Sequence, residues 1–370
     1  MSSFDPTTDE ALVYGLPLKA RCLVAQAGET EKNCFLVGSL SLREENELHL
    51  IEVKEDTGRD HLDVACTGHF SHPKVEIWHI APSPSDPLLL YTCYNTGQNE
   101  FRASLWRIDD QTLVETSQLA HSETIKCVLW HPVEDEEESR MVLSLDDNTI
   151  KLWDIEAGGS SAKETGTITL GELQRLTTGC WNPNNTNEVV AANDTRVQGW
   201  DLRSLKETFS IPKAHSHFVR DLDYNPNKLY LIATGGDDCY VKFWDTRKSQ
   251  EPLKVVKGHS HWVWNVEYNK FRDQLVLSSS TDSSVNLWKI ATLSSSSEPL
   301  GIDDYRDPAD TAGREDYLIK SYDVHEESVY SVAWGCYEAS PYVFASLSYD
   351  GRVVINQVPE EEIARIQDEM

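Results

Sequence analysis

The sequence predicts an all-β protein, a single seven-bladed WD40 β-propeller. Three observations predict it: a strand-like segment ending in Trp recurs, its spacing equals the length of a four-stranded blade, and turn residues punctuate the apolar alternation between copies. The full copies are SLWRI at Trp106, KLWDI at Trp153, QGWDL at Trp200, KFWDT at Trp244 and NLWKI at Trp288, separated by 47, 47, 44 and 44 residues. Two degenerate copies flank them, LHLIEV with Ile51 at the Trp position and VVINQV with Asn356 there, which brings the number to seven.

In chain order, residues 1–11 are acidic and proline-bearing and are expected to be a flexible tail. Residues 12–359 are the propeller. A blade cannot bury its own faces, so it packs on its neighbours, and a closed ring leaves no long free strand edge. The segment after Pro359, EEEIARIQDEM, is a poor strand, so closure is assigned to Leu12–Leu16, pairing beside Val353–Val358. Residues 360–370 then read as a second flexible acidic tail. Thr292–Asp316, rich in Ser, Pro and acid, reads as a disordered insert between the third and fourth strands of blade six. Strand direction opens the acidic run Glu134–Glu138 on the same face.

Within each repeat a buried His, hydroxyl, Asp and Trp can satisfy one another as a polar clasp. The sets are His121, Ser144, Asp147 and Trp153; His215, Thr234, Asp238 and Trp244; and His259, Ser278, Asp282 and Trp288. A catalytic-triad reading of these residues loses because the pattern repeats from blade to blade. Tight-turn chemistry likewise accounts for Asp146-Asp147 and Asp237-Asp238. No phosphate-cradling glycine loop, HExxH helix or GxSxG elbow is present. The reading is therefore no enzyme, no cofactor and no metal site.

A binding function is the alternative, and the first strands suggest where. Alignment on His259-x-x-x-Val263 places Glu76, Trp78, Lys126, Arg175, Phe218, Arg220, Trp262, Trp264 and Tyr330 around the central opening. Aromatic and arginine side chains gathered on one rim have the composition of protein-binding hot spots.

The bulk properties narrow the partners. Sixty-one acidic against 33 basic side chains give a net charge of −28, which repels nucleic-acid phosphates and anionic lipids alike. The eight cysteines never approach a CxxC spacing, so reduced, mostly buried thiols are expected. There is no apolar signal core and no run of roughly 18 apolar residues. The expectation is a cytoplasmic chain without direct membrane insertion, monomeric alone, with other proteins as its partners.

Longer stretches say more than the Trp-Asp pairs, which are common to many propellers. AHSHFVRDLDYNPNKLYLIATGGDDCYVKFWDTR, GHSHWVWNVEYNKFRDQLVLSSSTDSSV, HEESVYSVAW and FASLSYDGRVVINQVP, with VYGLPLKAR and EIWHIAPSP upstream, resemble the EARP- and GARP-complex-interacting protein family. The resemblance covers nearly the whole chain and is strongest from Ala192 to Pro359. It implies a non-enzymatic adaptor that binds the EARP and GARP tethering complexes, peripheral at the trans-Golgi network and endosomes. It further implies support of endosomal recycling, endosome-to-Golgi retrograde traffic and dense-core vesicle cargo sorting. A rival reading uses Arg203 and Arg247. They close the WDxR segments Trp200–Arg203 and Trp244–Arg247, the pattern of substrate receptors for cullin-4 ubiquitin ligases. A third, a propeller taking basic peptide tails on its acidic rim, is favoured by charge alone.

Overall fold

Short runs of β-branched and small apolar residues make strands along the whole chain, and the computed structural model folds them into seven four-stranded antiparallel sheets. It describes residues 11–56, 61–73, 76–96, 101–121, 123–132, 140–156, 159, 161–170, 175–295 and 315–368. The chain begins with β1 (Leu12–Gly15). Blade one is β2 (Ala20–Ala25), β3 (Asn33–Ser39), β4 (Asn46–Asp56) and β5 (His61–His72). Blade two is β6 (Ile77–Pro82), β7 (Leu89–Asn95), β8 (Phe101–Asp109) and β9 (Thr112–Leu119). Blade three is β10 (Cys127–Trp130), β11 (Met141–Leu145), β12 (Thr149–Ile155) and β13 (Ala162–Thr169). Blade four is β14 (Leu176–Trp181), β15 (Glu188–Asn193), β16 (Arg196–Asp201) and β17 (Lys206–Ile211). Blade five is β18 (Val219–Tyr224), β19 (Leu231–Gly236), β20 (Tyr240–Asp245) and β21 (Lys254–Lys257). Blade six is β22 (Val263–Tyr268), β23 (Leu275–Ser280), β24 (Val285–Ile290) and β25 (Asp316–Tyr322). Blade seven takes β26 (Val329–Trp334), β27 (Val343–Ser348) and β28 (Arg352–Gln357), and β1 completes it.

The closing pair is antiparallel, Leu12 opposite Ile355 through Gly15 opposite Arg352, the segment to which the sequence assigns closure. The turn feeding β28 depends on Gly351, at φ +84°, where a Cβ would stand 2.3 Å from the Leu18 carbonyl. Between third and fourth strands the register slips at one recurring place, at Trp106, Trp153, Trp200 and Trp288. Such a bulge re-aims the side chain that follows it. The same slip occurs at Ile51, confirming its equivalence to the Trp position. Apolar faces meet between neighbouring blades: Trp153 and Val142 of blade three pack on Tyr91 and Leu105 of blade two, and Ile355 and Leu347 of blade seven pack on Phe35 and Ile51 of blade one.

Two expectations need correction. The C-terminal segment, read as a flexible tail, folds as α1 (Glu360–Asp368). It is a poor strand because its period is helical: Ile363 and Ile366 share a face, and Glu360, Glu361 and Glu362 occupy the first turn, where carboxylates suit the helix dipole. Ile366 is fully buried against the apolar cluster of blades six and seven, and Glu362 is buried 3.2 Å from Lys289 Nζ. The insert also begins later than read. Ala291–Leu293 is a 3₁₀ turn, and Thr292 donates its backbone N–H (2.9 Å) and its hydroxyl (2.5 Å) to the Asp316 carboxylate, so the two ends are pinned together. Residues 296–314, the run 134–138 and residues 1–10 lie outside the described residues.

Candidate protein interface

The clasps come first, since they fix the strands that carry the rim. In blade five, Trp244 Nε1 donates to Thr234 Oγ1 (3.0 Å), which lies 2.8 Å from His215 Nε2, while His215 Nδ1 lies 2.6 Å from Asp238. With the proton on Nδ1 the chain runs Trp to Thr to His to Asp, and every group is satisfied. Burial alone would raise the Asp238 carboxyl; hydrogen bonds from His215, Ser216 and Lys242 hold it well below the usual range. In blade six, Trp288 donates to Ser278 (2.9 Å) and His259 Nε2 lies 2.8 Å from the same hydroxyl. Here His259 Nδ1 meets Ser284 Oγ at 3.1 Å, and Ser284 donates to Asp282 at 2.6 Å. The Thr234 and Ser278 hydroxyls are completely buried, which closes them to any substrate.

Blade three corrects one residue. Trp153 and His121 both reach Ser144 at 2.6 Å, but the carboxylate on His121 Nδ1 is that of Asp146, at 3.0 Å, and not that of Asp147. Asp146 also accepts the Asn148 and Thr149 amides, which turns it inward and sends Asp147 out to Lys126, 2.9 Å away. Burial opposes ionisation of Asp146, yet these donors pull its carboxyl down to about 2. Two further clasps escape the sequence pattern. His72, Thr92 and Trp106 form one in blade two, where His72 precedes its strand by one residue more than His215, His259 and His325 precede theirs. His325 forms the other in blade seven with Ser346 and Ser348, without any Trp.

On the rim, the first strands bring Trp78, Trp264, Tyr330, Phe218, Trp262 and Arg220 together as expected from the alignment. Two guanidinium planes organise them. Arg220 stacks over Phe218, Trp262 and Trp264, with centroid distances of 5.5, 5.2 and 4.7 Å, while two 2.6 Å hydrogen bonds to Asp237 fix its plane. Arg21, which the alignment missed, stacks over Trp78, Trp264 and Tyr330 at 4.8, 5.0 and 4.3 Å. It is the equivalent residue of blade one, where neither a His nor a Trp marks the repeat; the bulge at Ala20/Cys22 matches that at Val263/Asn265. Burial lowers its basicity, and no carboxylate lies within 4.0 Å of it among the described residues. Trp264 and Tyr330 meet edge to face at 4.8 Å. Phe218 and Trp262 remain 46% and 39% exposed, so the outer surface of this stack is open.

The other half of the rim is charged. A depression of about 640 Å³ lies over blades three to five, lined by Lys126, Asp147, Arg175, Asp194, Phe218 and Arg220 among others. Arg175 is exposed, and Glu76 is occupied by Asn95 at 3.1 Å. Below the rim Asp221 fastens three first strands: it accepts Thr178 Oγ1 (3.2 Å), the Val266 amide (3.0 Å) and the Asn265 side chain. Burial raises Asp221 to about 6 and its neighbour Asp223 to about 7. The WDxR arginines lie at the ends of third strands, on the opposite face. Arg247 is clamped to Asp245 at 2.8 and 3.0 Å and stacked on Tyr230, whereas Arg203 is 75% exposed.

Comparison with known proteins decides the family. A model of the EIPR1 beta-propeller matches residues 8–288. The chain belongs to the EIPR1 β-propeller family. Similar relatives include an EARP-interacting protein homolog of Danio rerio, 42% identical over 388 positions that cover 95% of this chain and 97% of the relative. The EARP and GARP complex-interacting protein 1 of Homo sapiens is 41% identical with the same coverage. An EARP-interacting protein homolog of Dictyostelium discoideum is 44% identical over 94% of this chain and 95% of its own. Similarity to these relatives thus extends over about 95% of the chain, the blades that carry the aromatic rim included. No helix among the described residues is long and apolar enough to cross a membrane.

Proposed function

We propose that this chain is a non-enzymatic adaptor that binds the EARP and GARP complexes through its aromatic and arginine rim. One observation carries the reading: two arginines and five aromatic rings from five blades share one surface on a chain whose relatives are named for the complexes they bind. Rings held flat by stacked guanidinium groups offer large contact area at little entropic cost. The protein acts in the cytoplasm, peripheral to the trans-Golgi network and endosomes. It supports recruitment of the complexes in endosomal recycling, endosome-to-Golgi retrograde traffic and dense-core vesicle cargo sorting.

Affinity purification followed by mass spectrometry returns EARP and GARP subunits on this reading. Trp262→Ala with Arg220→Ala, or Arg21→Ala alone, weakens that recovery by roughly 30-fold or more, as loss of ~2 kcal/mol implies, while far-ultraviolet circular dichroism stays native. Full recovery with a folded variant refutes the rim. Recovery of a cullin-4 ligase adaptor alone, lost on Arg203→Ala with Arg247→Ala, replaces the reading; the exposure of Arg203 is what favours that rival.

A further inference from the structure

Blade one carries, at its outer edge, a group of side chains that neither the clasps nor the docking rim uses. Glu47 and His49 are two residues apart on β4 and so project from one face of the sheet, and His69 on β5 stands directly opposite His49. Glu47 Oε2 lies 3.0 Å from His49 Nε2, and Oε1 lies 3.2 Å from His69 Nε2. One ligand atom from each of the three lies within 4.8 Å of the other two. Behind His49, its Nδ1 is 2.7 Å from the hydroxyl of Tyr14, which comes from the ring-closing strand β1.

We propose that Glu47, His49 and His69 form a zinc site. Two imidazoles and one carboxylate are a donor set suited to Zn²⁺, and three protein ligands leave the fourth tetrahedral position to water. Ligands about 2.0–2.1 Å from a tetrahedral ion stand about 3.3 Å apart; each imidazole already stands near that distance from one of the two Glu47 oxygens. The two imidazole rings stand 4.6 Å apart between centroids, and His69, with a side chain 58% exposed, has room to turn toward the ion. His49 is the fixed partner, its side chain 5% exposed. A proton on Nδ1, donated to the Tyr14 oxygen, leaves the Nε2 lone pair facing Glu47, the arrangement in which a neighbour orients a metal-binding histidine. The ion would join β4 to β5 and, through Tyr14, lock both to the strand that closes the ring.

The test uses the full chain stripped with a chelator, titrated with Zn²⁺ by calorimetry and with Co²⁺ by visible absorption. The expected result is one saturable site per chain with the intense visible bands of four-coordinate cobalt. His69→Ala and Glu47→Gln each remove that site, Tyr14→Phe weakens it by roughly 10- to 100-fold, and His217→Ala with His261→Ala leaves it intact. The proposal fails if the unaltered chain shows no saturable site, only weak binding at many surface carboxylates, or a site that persists in the folded Glu47→Gln, His69→Ala double variant. The titration of the unaltered chain decides the matter even where a variant does not fold.

Discussion

A buried hydroxyl that accepts from one ring and serves another cannot be removed without stranding both. Thr234→Val keeps the volume at that position but leaves Trp244 Nε1 and His215 Nε2 facing a methyl group. Each stranded group costs ~1–3 kcal/mol, so urea unfolding should show a loss of about 3 kcal/mol, and a loss below ~0.5 kcal/mol would show the clasp to be energetically idle. His325 supplies a pH dependence. Burial lowers it to about 4, from an ordinary 6.5. The folded state thus holds it neutral while the unfolded chain binds a proton, so stability falls as pH drops below 6.5 and the loss levels off near 4. At roughly 1.4 kcal/mol per pKa unit, unfolding at pH 5 should cost about 2 kcal/mol less than at pH 7 from this residue, a difference that His325→Asn removes. His121, His215 and His259 were legible because each stands at the same place in its repeat as the others, with a hydroxyl, an Asp and a Trp following, whereas His72, one residue out of step, and His325, whose blade lacks the Trp, were not. Choosing between Asp146 and Asp147 was not, because the direction of adjacent side chains in a tight turn depends on which backbone amides are nearby.

At the scale of elements, strands were readable wherever Trp marked the end of the third one, and β1 was found by elimination. The helix α1 was missed because nine residues with two isoleucines look like a frayed end until the greasy patch beneath them is known. Its removal provides a test. Truncation after Pro359 uncovers Val358 and Tyr322, deletes buried Ile366, and takes from Lys289 the carboxylate it meets at 3.2 Å. Burying one Ile is worth ~1.5–3 kcal/mol and breaking a buried ion pair ~3–5 kcal/mol, so the truncated chain should lose at least about 3 kcal/mol in chemical unfolding. Unchanged stability would mean that α1 only rests on the surface.

The whole molecule depends on one noncovalent seam. Deleting residues 1–16 leaves the outer edge of β28 without its partner and the packing of blade seven on blade one incomplete. Unpaired edges recruit other chains; size-exclusion chromatography should show self-association, and the melting temperature should fall by roughly 5 °C or more. A monodisperse variant melting like the intact chain would show that the seam contributes nothing. The rim was legible at this scale because a ring forces equivalent positions of successive first strands onto one face. Arg21 alone escaped, since the blade that carries it has lost the landmarks that set the alignment.

The seam also orders events during synthesis. Residues 12–15 precede every other strand of the ring in chain order, yet the strand they pair with, 352–357, follows all the others. While the strands between them are made, the first strand therefore waits without its mate, and the ring closes only after 352–357 has emerged. A newly made molecule of this kind depends on whatever shields that waiting segment in the interval.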